Sequence, residues 1–347
     1  MKPYKNILIV RTDRIGDVVL TTPAIEAVRS AFPAARISIL VTPETRQIVD
    51  GNPSLNEVLI DDKKGVHKGL GFFSLIAILR RKKFDLAIIF HTKKRANLLC
   101  FLAGIPARIG YKNDKFGFLL TQPIADTRSQ GSKHEAQYCL DLLESIGVHA
   151  DNLKSNLKLS IPVKEESQKW AATFLRENNI KESDRFVVIH PGASCVSKRW
   201  PAENFSKVVK KLAQSGNKVF LIGGEETKNI SAQILKNAPN AASDLSGSLS
   251  LSQLAALLAK SQLLISNDSG PVHMAAAVGA PVISIFGRNQ AGLSPARWKP
   301  LGARDIVLHK EVGCNICLAH NCVVGFECLK AITPEEVLEA VEKILAS

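Results

Sequence analysis

Residues 263–287, LLISNDSGPVHMAAAVGAPVISIFG, restrict the fold more than any other stretch of this 347-residue chain. The apolar run 263–266 has the length and composition of a buried strand. Five turn-forming residues, Asn267-Asp268-Ser269-Gly270-Pro271, break it. Pro271 suits the first turn of a helix, where a missing N–H is harmless, and Asp268 or Ser269 can cap that turn. The small residues 274–278 continue the helix, Gly279 stops it, and Pro281 lies just beyond. Residues 282–286 read as a second buried strand. This is a strand–loop–helix–strand unit of a parallel sheet, and ligands on such sheets sit at the carboxyl ends of the strands. The helix begins there with unpaired N–H groups and the positive end of its dipole, a setting suited to a diphosphate. Asp268 and His273 would flank such a ligand. An Asp at a helix start is commonly just a cap. The cluster Asp-Ser-Gly-Pro-x-His between two strands is what points to binding.

The same alternation runs along the chain. Strands are expected at 7–10, 37–41, 58–60 and 86–90, with helices at 18–31, 43–49, 72–81 and 95–102. Residues 134–146 read as a helix, 157–162 as a strand leading into a connector, and 168–178 as a helix near a domain boundary. The pattern then restarts: strands at 186–190 and 219–222, helices at 202–214, 226–235, 251–259 and 334–345. Such alternation predicts an α/β fold with parallel sheets covered on both faces. The expected organisation is two doubly wound, Rossmann-like domains facing a central cleft, at 1–165 and 166–332. The last segment, 333–347, is set apart as a helix that could pack back toward the first domain.

Charge narrows the partners. The net charge is +13, and residues 1–160 hold 24 Lys/Arg against 15 Asp/Glu while residues 161–347 hold 21 against 17. An excess in the first half favours a polyanion: nucleic acid, an anionic membrane surface or a phosphorylated substrate. Aromatic residues make up 6% and no nucleic-acid module is recognisable, so nucleic acid is set aside. No apolar run approaches the ~20 residues of a membrane span. The start, MKPYKNILIV, lacks the apolar core and cleavage site of a secretory signal, so the expected location is the cytoplasm.

Four loops follow expected strands: 11–17, 190–200, 223–226 and 267–273. Together with their flanks they read ILIVRTDRIGDVVLTTPAIEAVR at 7–29, VVIHPGASCVSKRWPAENF at 187–205, LIGGEE at 221–226, LSGSLSLSQLAALL at 245–258 and SNDSGPVHMAAAVGAPVISIFG at 266–287. In these five stretches the chain resembles the family 9 glycosyltransferases, which include the ADP-heptose:lipopolysaccharide heptosyltransferases. The resemblance implies the GT-B architecture, and inverting, metal-independent transfer of heptose from an ADP-heptose donor to the anionic inner core of lipopolysaccharide. It also implies peripheral contact with the inner membrane surface. Such a transfer needs a base for the acceptor hydroxyl, charge stabilisation for the leaving diphosphate, and a donor sugar held in line.

By the same resemblance, Asp17 matches the family's Gly-Asp carboxylate and is the expected base, with Asp13 the lesser alternative. Lys198 matches the family's lysine and would neutralise the diphosphate as a compact charge. Ala193 and Ser194 match positions that reach phosphate. Glu225 matches the carboxylate that holds the ribose, with Glu226 beside it, and Leu249 matches a position lining the adenine pocket. Asp268 would bind sugar hydroxyls, while Ser269, Gly270 and His273 would bind phosphate. Lys93, Lys94 and Arg95 follow the 86–90 strand and are expected to meet an anionic acceptor. Lys63, Lys64 and Lys68 lie in a loop that could face the same side. Arg80–Lys83 precede that strand and are expected at its opposite, solvated edge.

Of seven cysteines, Cys100, Cys139 and Cys195 are scattered and read as small apolar residues. Cys314, Cys317, Cys322 and Cys328 form C-x2-C-x4-C-x5-C. In a cytoplasmic protein that spacing suggests a structural zinc more than disulfides, with metal-free thiols the equal alternative and an iron–sulfur cluster a lesser one. No catalytic cofactor is expected. A transferase of the same fold using another nucleotide sugar, a nucleotide-sugar epimerase, and a nucleotide-sugar-binding protein without transfer remain open alternatives.

Overall fold

The computed structural model describes residues 4–181, 184–314 and 316–346. The chain divides into two compact units, Met1–Ser129 with Lys133–Pro162, and Val163–Ser347 with Gln130–Ser132.

The first unit contains β1 (Asn6–Val10), α1 (Ile15–Val19), α2 (Thr22–Ala31), β2 (Arg36–Val41), α3 (Arg46–Val49), β3 (Glu57–Ile60) and α4 (Gly71–Lys82). It continues through β4 (Leu86–Ile89), α5 (Lys94–Leu102), β5 (Ala107–Tyr111), β6 (Gln122–Ile124), α6 (Glu135–Glu144) and α7 (Asp151–Ser155). Its sheet is parallel, in the order β3-β2-β1-β4-β5-β6. Ile7, Leu8, Ile9 and Val10 are all fully buried, as expected of a central strand covered on both faces. The expected helix 18–31 is two helices. Thr21 turns its hydroxyl back to the Asp17 carbonyl at 2.8 Å, and Pro23 starts the second helix, so the chain bends between them. No strand forms at 157–162.

The second unit contains α8 (Glu165–Glu177), β7 (Phe186–His190), α9 (Ala202–Gln214), β8 (Lys218–Leu221), α10 (Lys228–Asn237), β9 (Ser243–Asp244) and α11 (Leu251–Lys260). Then follow β10 (Leu263–Asn267), α12 (Gly270–Ala277), β11 (Val282–Phe286), α13 (Pro295–Trp298), β12 (Ile306–His309), α14 (Glu327–Lys330) and α15 (Pro334–Ala346). The sheet order is β12-β11-β10-β7-β8-β9, the same winding seen from the other edge. α15 is part of this unit. Val337, Ala340, Val341 and Ile344 join Val208, Val209 and Ile285 in its core. The apolar period of 334–345 marks a buried face but not its partner, so the sequence left that choice open.

In each sheet the winding reverses between two adjacent central strands, β1/β4 in the first unit and β7/β10 in the second. A doubly wound sheet opens a crevice at that point, beyond the carboxyl ends of the strands. The loops that matter leave from there.

Candidate active site

At the first switch point, β1 ends and Arg11 turns inward. Its side chain is 1% exposed, which is unusual for a lone cation. Three carboxylates explain it: Arg11 Nη2 stands 2.9 Å from Asp17 Oδ1 and 3.0 Å from Glu135 Oε1, and Nε is 3.2 Å from Asp13 Oδ1. Nη1 donates to the Phe90 carbonyl at 2.6 Å, at the end of β4. Burial opposes the charge, but Asp13, Asp17 and Glu135 hold the guanidinium well above its ordinary pKa. Arg11 therefore ties together the exits of β1 and β4, helix α1 and the start of α6.

Asp17 sits in the first turn of α1 and also accepts from the Arg14 backbone N–H at 3.3 Å. Burial pushes its pKa up to about 6. Asp13 pushes the same way and Arg11 opposes. The carboxyl group is thus poised near neutrality, where a general base is most useful. Thr12 and His91 Nε2 are 2.9 Å apart, and burial holds the His91 ring neutral. Lys93 Nζ donates to the Thr12 carbonyl at 3.2 Å, bringing a cation to the same loop. The other two expected acceptor residues differ. Lys94 opens α5 and is exposed, whereas both forks of Arg95 are taken up by Asp61 at 2.7 Å.

At the second switch point, Asn267 organises the long loop after β7. It is fully buried, its Nδ2 donates to the Pro191 carbonyl at 2.7 Å, and its Oδ1 accepts from the Trp200 N–H at 3.0 Å. Both ends of the loop that carries Ala193, Ser194 and Lys198 are thereby fixed. Trp200 packs underneath, 2% exposed, with its indole N–H on the Ile332 carbonyl. His190 Nδ1 lies 3.0 Å from Ser269 Oγ and 3.3 Å from Ser266 Oγ, and burial lowers its pKa to about 4. A neutral ring therefore fixes the Ser269 hydroxyl at the start of α12.

Asp268, 4% exposed, carries two cations on one oxygen: Lys198 Nζ at 2.8 Å and Arg288 Nη2 at 2.9 Å. The group keeps a net positive charge beside the amino end of α12, the combination that receives phosphate. Arg288 was not among the expected residues. Ser269 stands at the N-cap position of α12, Gly270 is its first residue, and His273 is buried within it. Glu225 is exposed, pairs with Lys228 at 2.7 Å and lies over Gly247, whose added Cβ would meet its Oε1 at 2.3 Å. That contact joins Glu225 to the segment carrying the half-buried Leu249.

Cys314, Cys317, Cys322 and Cys328 line one cavity of about 230 Å³, with Arg288 and His309. They are free thiols, and the described residues include no group of three or more His, Cys, Asp or Glu side chains placed to hold a metal ion. The expected zinc therefore gains no support from the geometry. Cys328 turns its thiol to the Gly287 carbonyl at 2.7 Å, which uses the sulfur as a donor, and Cys314 is exposed.

Two doubly wound α/β units with the same strand winding have the architecture of the GT-B class of glycosyltransferases. The profile of Glycosyltransferase family 9 (heptosyltransferase) matches residues 72–326, and the chain belongs to that family. It is 30% identical over 282 residues to lipopolysaccharide heptosyltransferase 3 of Escherichia coli, covering 78% of this chain and 80% of that one. The structure superposes on a family 9 glycosyltransferase from Veillonella parvula with a TM-score of 0.86 at 28% identity, covering 100% of this chain and 99% of that one. It superposes on E. coli ADP-heptose lipopolysaccharide heptosyltransferase II with a TM-score of 0.77 at 22% identity, covering 99% and 98%.

Proposed function

We propose that this protein transfers heptose from ADP-heptose to a lipopolysaccharide core acceptor, with inversion and with its own cations in place of a catalytic metal. The observation that carries the reading is the Asp17 carboxyl group, held at the exit of β1 with a pKa of about 6. In this reading Asp17 removes the proton from an acceptor hydroxyl as that oxygen attacks the anomeric carbon. The bond from that carbon to the diphosphate oxygen breaks on the opposite face, which inverts the centre. ADP leaves, and the proton stays on Asp17 until solvent takes it.

Lys198, Arg288 and the amino end of α12 meet the charge that grows on the departing diphosphate. Asp268 holds both cations in place and offers a carboxylate to sugar hydroxyls. Ser269, Gly270, His273, Ala193 and Ser194 complete the phosphate contacts, while Glu225 and Leu249 receive ribose and adenine. Lys93 is the cation best placed for an anionic acceptor, because it already leans over the Thr12 carbonyl. The acceptor is lipid-linked, so the enzyme works at an anionic membrane surface. The relatives' names support the sugar and the acceptor.

A donor screen tests the reading. ADP-heptose is expected to raise the melting temperature more than UDP- or GDP-sugars at equal concentration, and to release ADP only when a heptose-deficient core acceptor is added. Donor breakdown without acceptor, or preference for another nucleotide, would overturn it.

A further inference from the structure

We propose that the outer face of α4 and α5 is a docking surface for an anionic lipid bilayer. The inference rests on the proposed function only in its reason for the docking; the surface is argued from this unit alone.

All five exposed large apolar residues described in the first unit fall between residues 66 and 118: Val66, Leu70, Phe73, Phe101 and Phe118. Leu70 is 85% exposed and Phe73 61%. Leu70, Phe73, Ala77, Arg80 and Arg81 follow one another at helical spacing, so one stripe along α4 is apolar at its start and cationic at its end. The inward stripe, Leu75, Ile76 and Leu79, packs with Leu99 and Cys100 of α5 on the sheet. α4 thus already has its core partner, and the apolar outer stripe is surplus to folding. Phe73, Arg80, Arg81 and Leu102 line a shallow groove between the two helices.

Charge selects the occupant. Residues 61–118 hold 13 Lys/Arg against 4 Asp/Glu, a surplus of nine that equals the whole surplus of residues 1–160. Of the four acids, Asp61 is buried on Arg95, Asp62 caps the Gly65 and Val66 amides, and Asp85 binds the Lys5 amide. Only Asp114 is left exposed, beside Lys112 and Lys115. A second copy of the chain would bring the same positive charge against this face. An anionic bilayer accepts apolar side chains at its boundary and attracts the lysines and arginines around them. α4 starts at the carboxyl edge of the sheet, so docking through Leu70 and Phe73 sets the edge that holds Asp17 toward the lipid headgroups.

The full-length protein is floated with vesicles containing about one-third phosphatidylglycerol in phosphatidylcholine, and with pure phosphatidylcholine. Binding to the anionic vesicles is expected, with loss at high salt. Leu70→Ser/Phe73→Ser and Arg80→Gln/Arg81→Glu should each lower that binding about tenfold or more, because each removes one of two additive attractions. Both variants should keep their melting temperature, since these side chains are exposed. Absence of wild-type binding, equal binding by the variants, or a concentration-dependent dimer that the variants abolish would each overturn the proposal. Turnover on a soluble, acyl-free core acceptor separates the two readings: the variants should match wild type there. Wild-type failure on that acceptor would count against the transferase assignment and not against the docking surface.

Discussion

Arg11 Nη2 lies 2.9 Å from Asp17 Oδ1, yet the Asp17 carboxyl group titrates near 6 and not below the ordinary carboxylate range. Two effects outweigh the cation. Burial penalises the Asp17 anion, and the guanidinium is shared with Asp13 and Glu135. The arrangement anchors the Asp17 carboxylate and still lets it take up a proton near pH 6.

The pH profile should report this balance. In the proposed mechanism Asp17 must be unprotonated, so kcat/KM should rise with pH and level off above about 6. Asp13 raises the Asp17 pKa. Removing its charge lets the anion persist to lower pH, and Asp13→Asn should therefore shift the acid limb downward. An upward shift, or none, in the measured profile would contradict the assignment of charges around Arg11.

Stability should carry the same signature. The folded-state pKa of Asp17 lies above the unfolded value of about 3.9, so the folded protein binds the extra proton between the two. The associated stability is present below that window and lost as pH rises through 6. Asp17→Asn is neutral throughout, so its melting temperature relative to wild type should be higher at pH 8 than at pH 4. Differential scanning fluorimetry across that range measures it.

Lys198 and Arg288 share Asp268, and each should matter to diphosphate binding. Lys198→Ala and Arg288→Ala are each expected to weaken ADP by roughly 10- to 100-fold, the range of a lost charge-assisted contact of about 1.4–2.7 kcal/mol. Titration calorimetry gives the value, and unchanged affinity in both variants would remove the pair from the donor site.

Arg288 also depends on its neighbour. An added Cβ at Gly287 would stand 2.5 Å from Leu329 Cγ, and Leu329 is 1% exposed, with no room to retreat. Gly287→Ala should cost about 1–3 kcal/mol and lower the melting temperature by several degrees. Cys328 binds the Gly287 carbonyl from the same segment, so ADP affinity should fall with it.

Much of this architecture is legible in the sequence, because parallel strands buried on both faces are written as short apolar runs closed by turn residues. The runs 7–10, 186–190, 263–266 and 282–286 are of this kind. β5, β6 and β12 are harder to read: ARIGY and IVLH are half-buried edge or near-edge strands, and QPI is a three-residue edge. Asp17, Lys198 and Asp268 stand in recognisable loops. Arg11 and Arg288 do not announce themselves, because a cation in a polar loop reads as solvated until its partner is known. Glu135 lies 124 positions from Arg11, and Asp268 lies 20 from Arg288. No local pattern links such pairs, and only the winding of the sheets brings them together.

The most direct test is turnover of the purified Asp17→Asn protein alongside its affinity for ADP. The account predicts ADP binding within about threefold of wild type, with kcat lowered about 100- to 10,000-fold, the usual loss when a positioned base is removed. A variant that binds ADP normally and turns over within tenfold of wild type would contradict it.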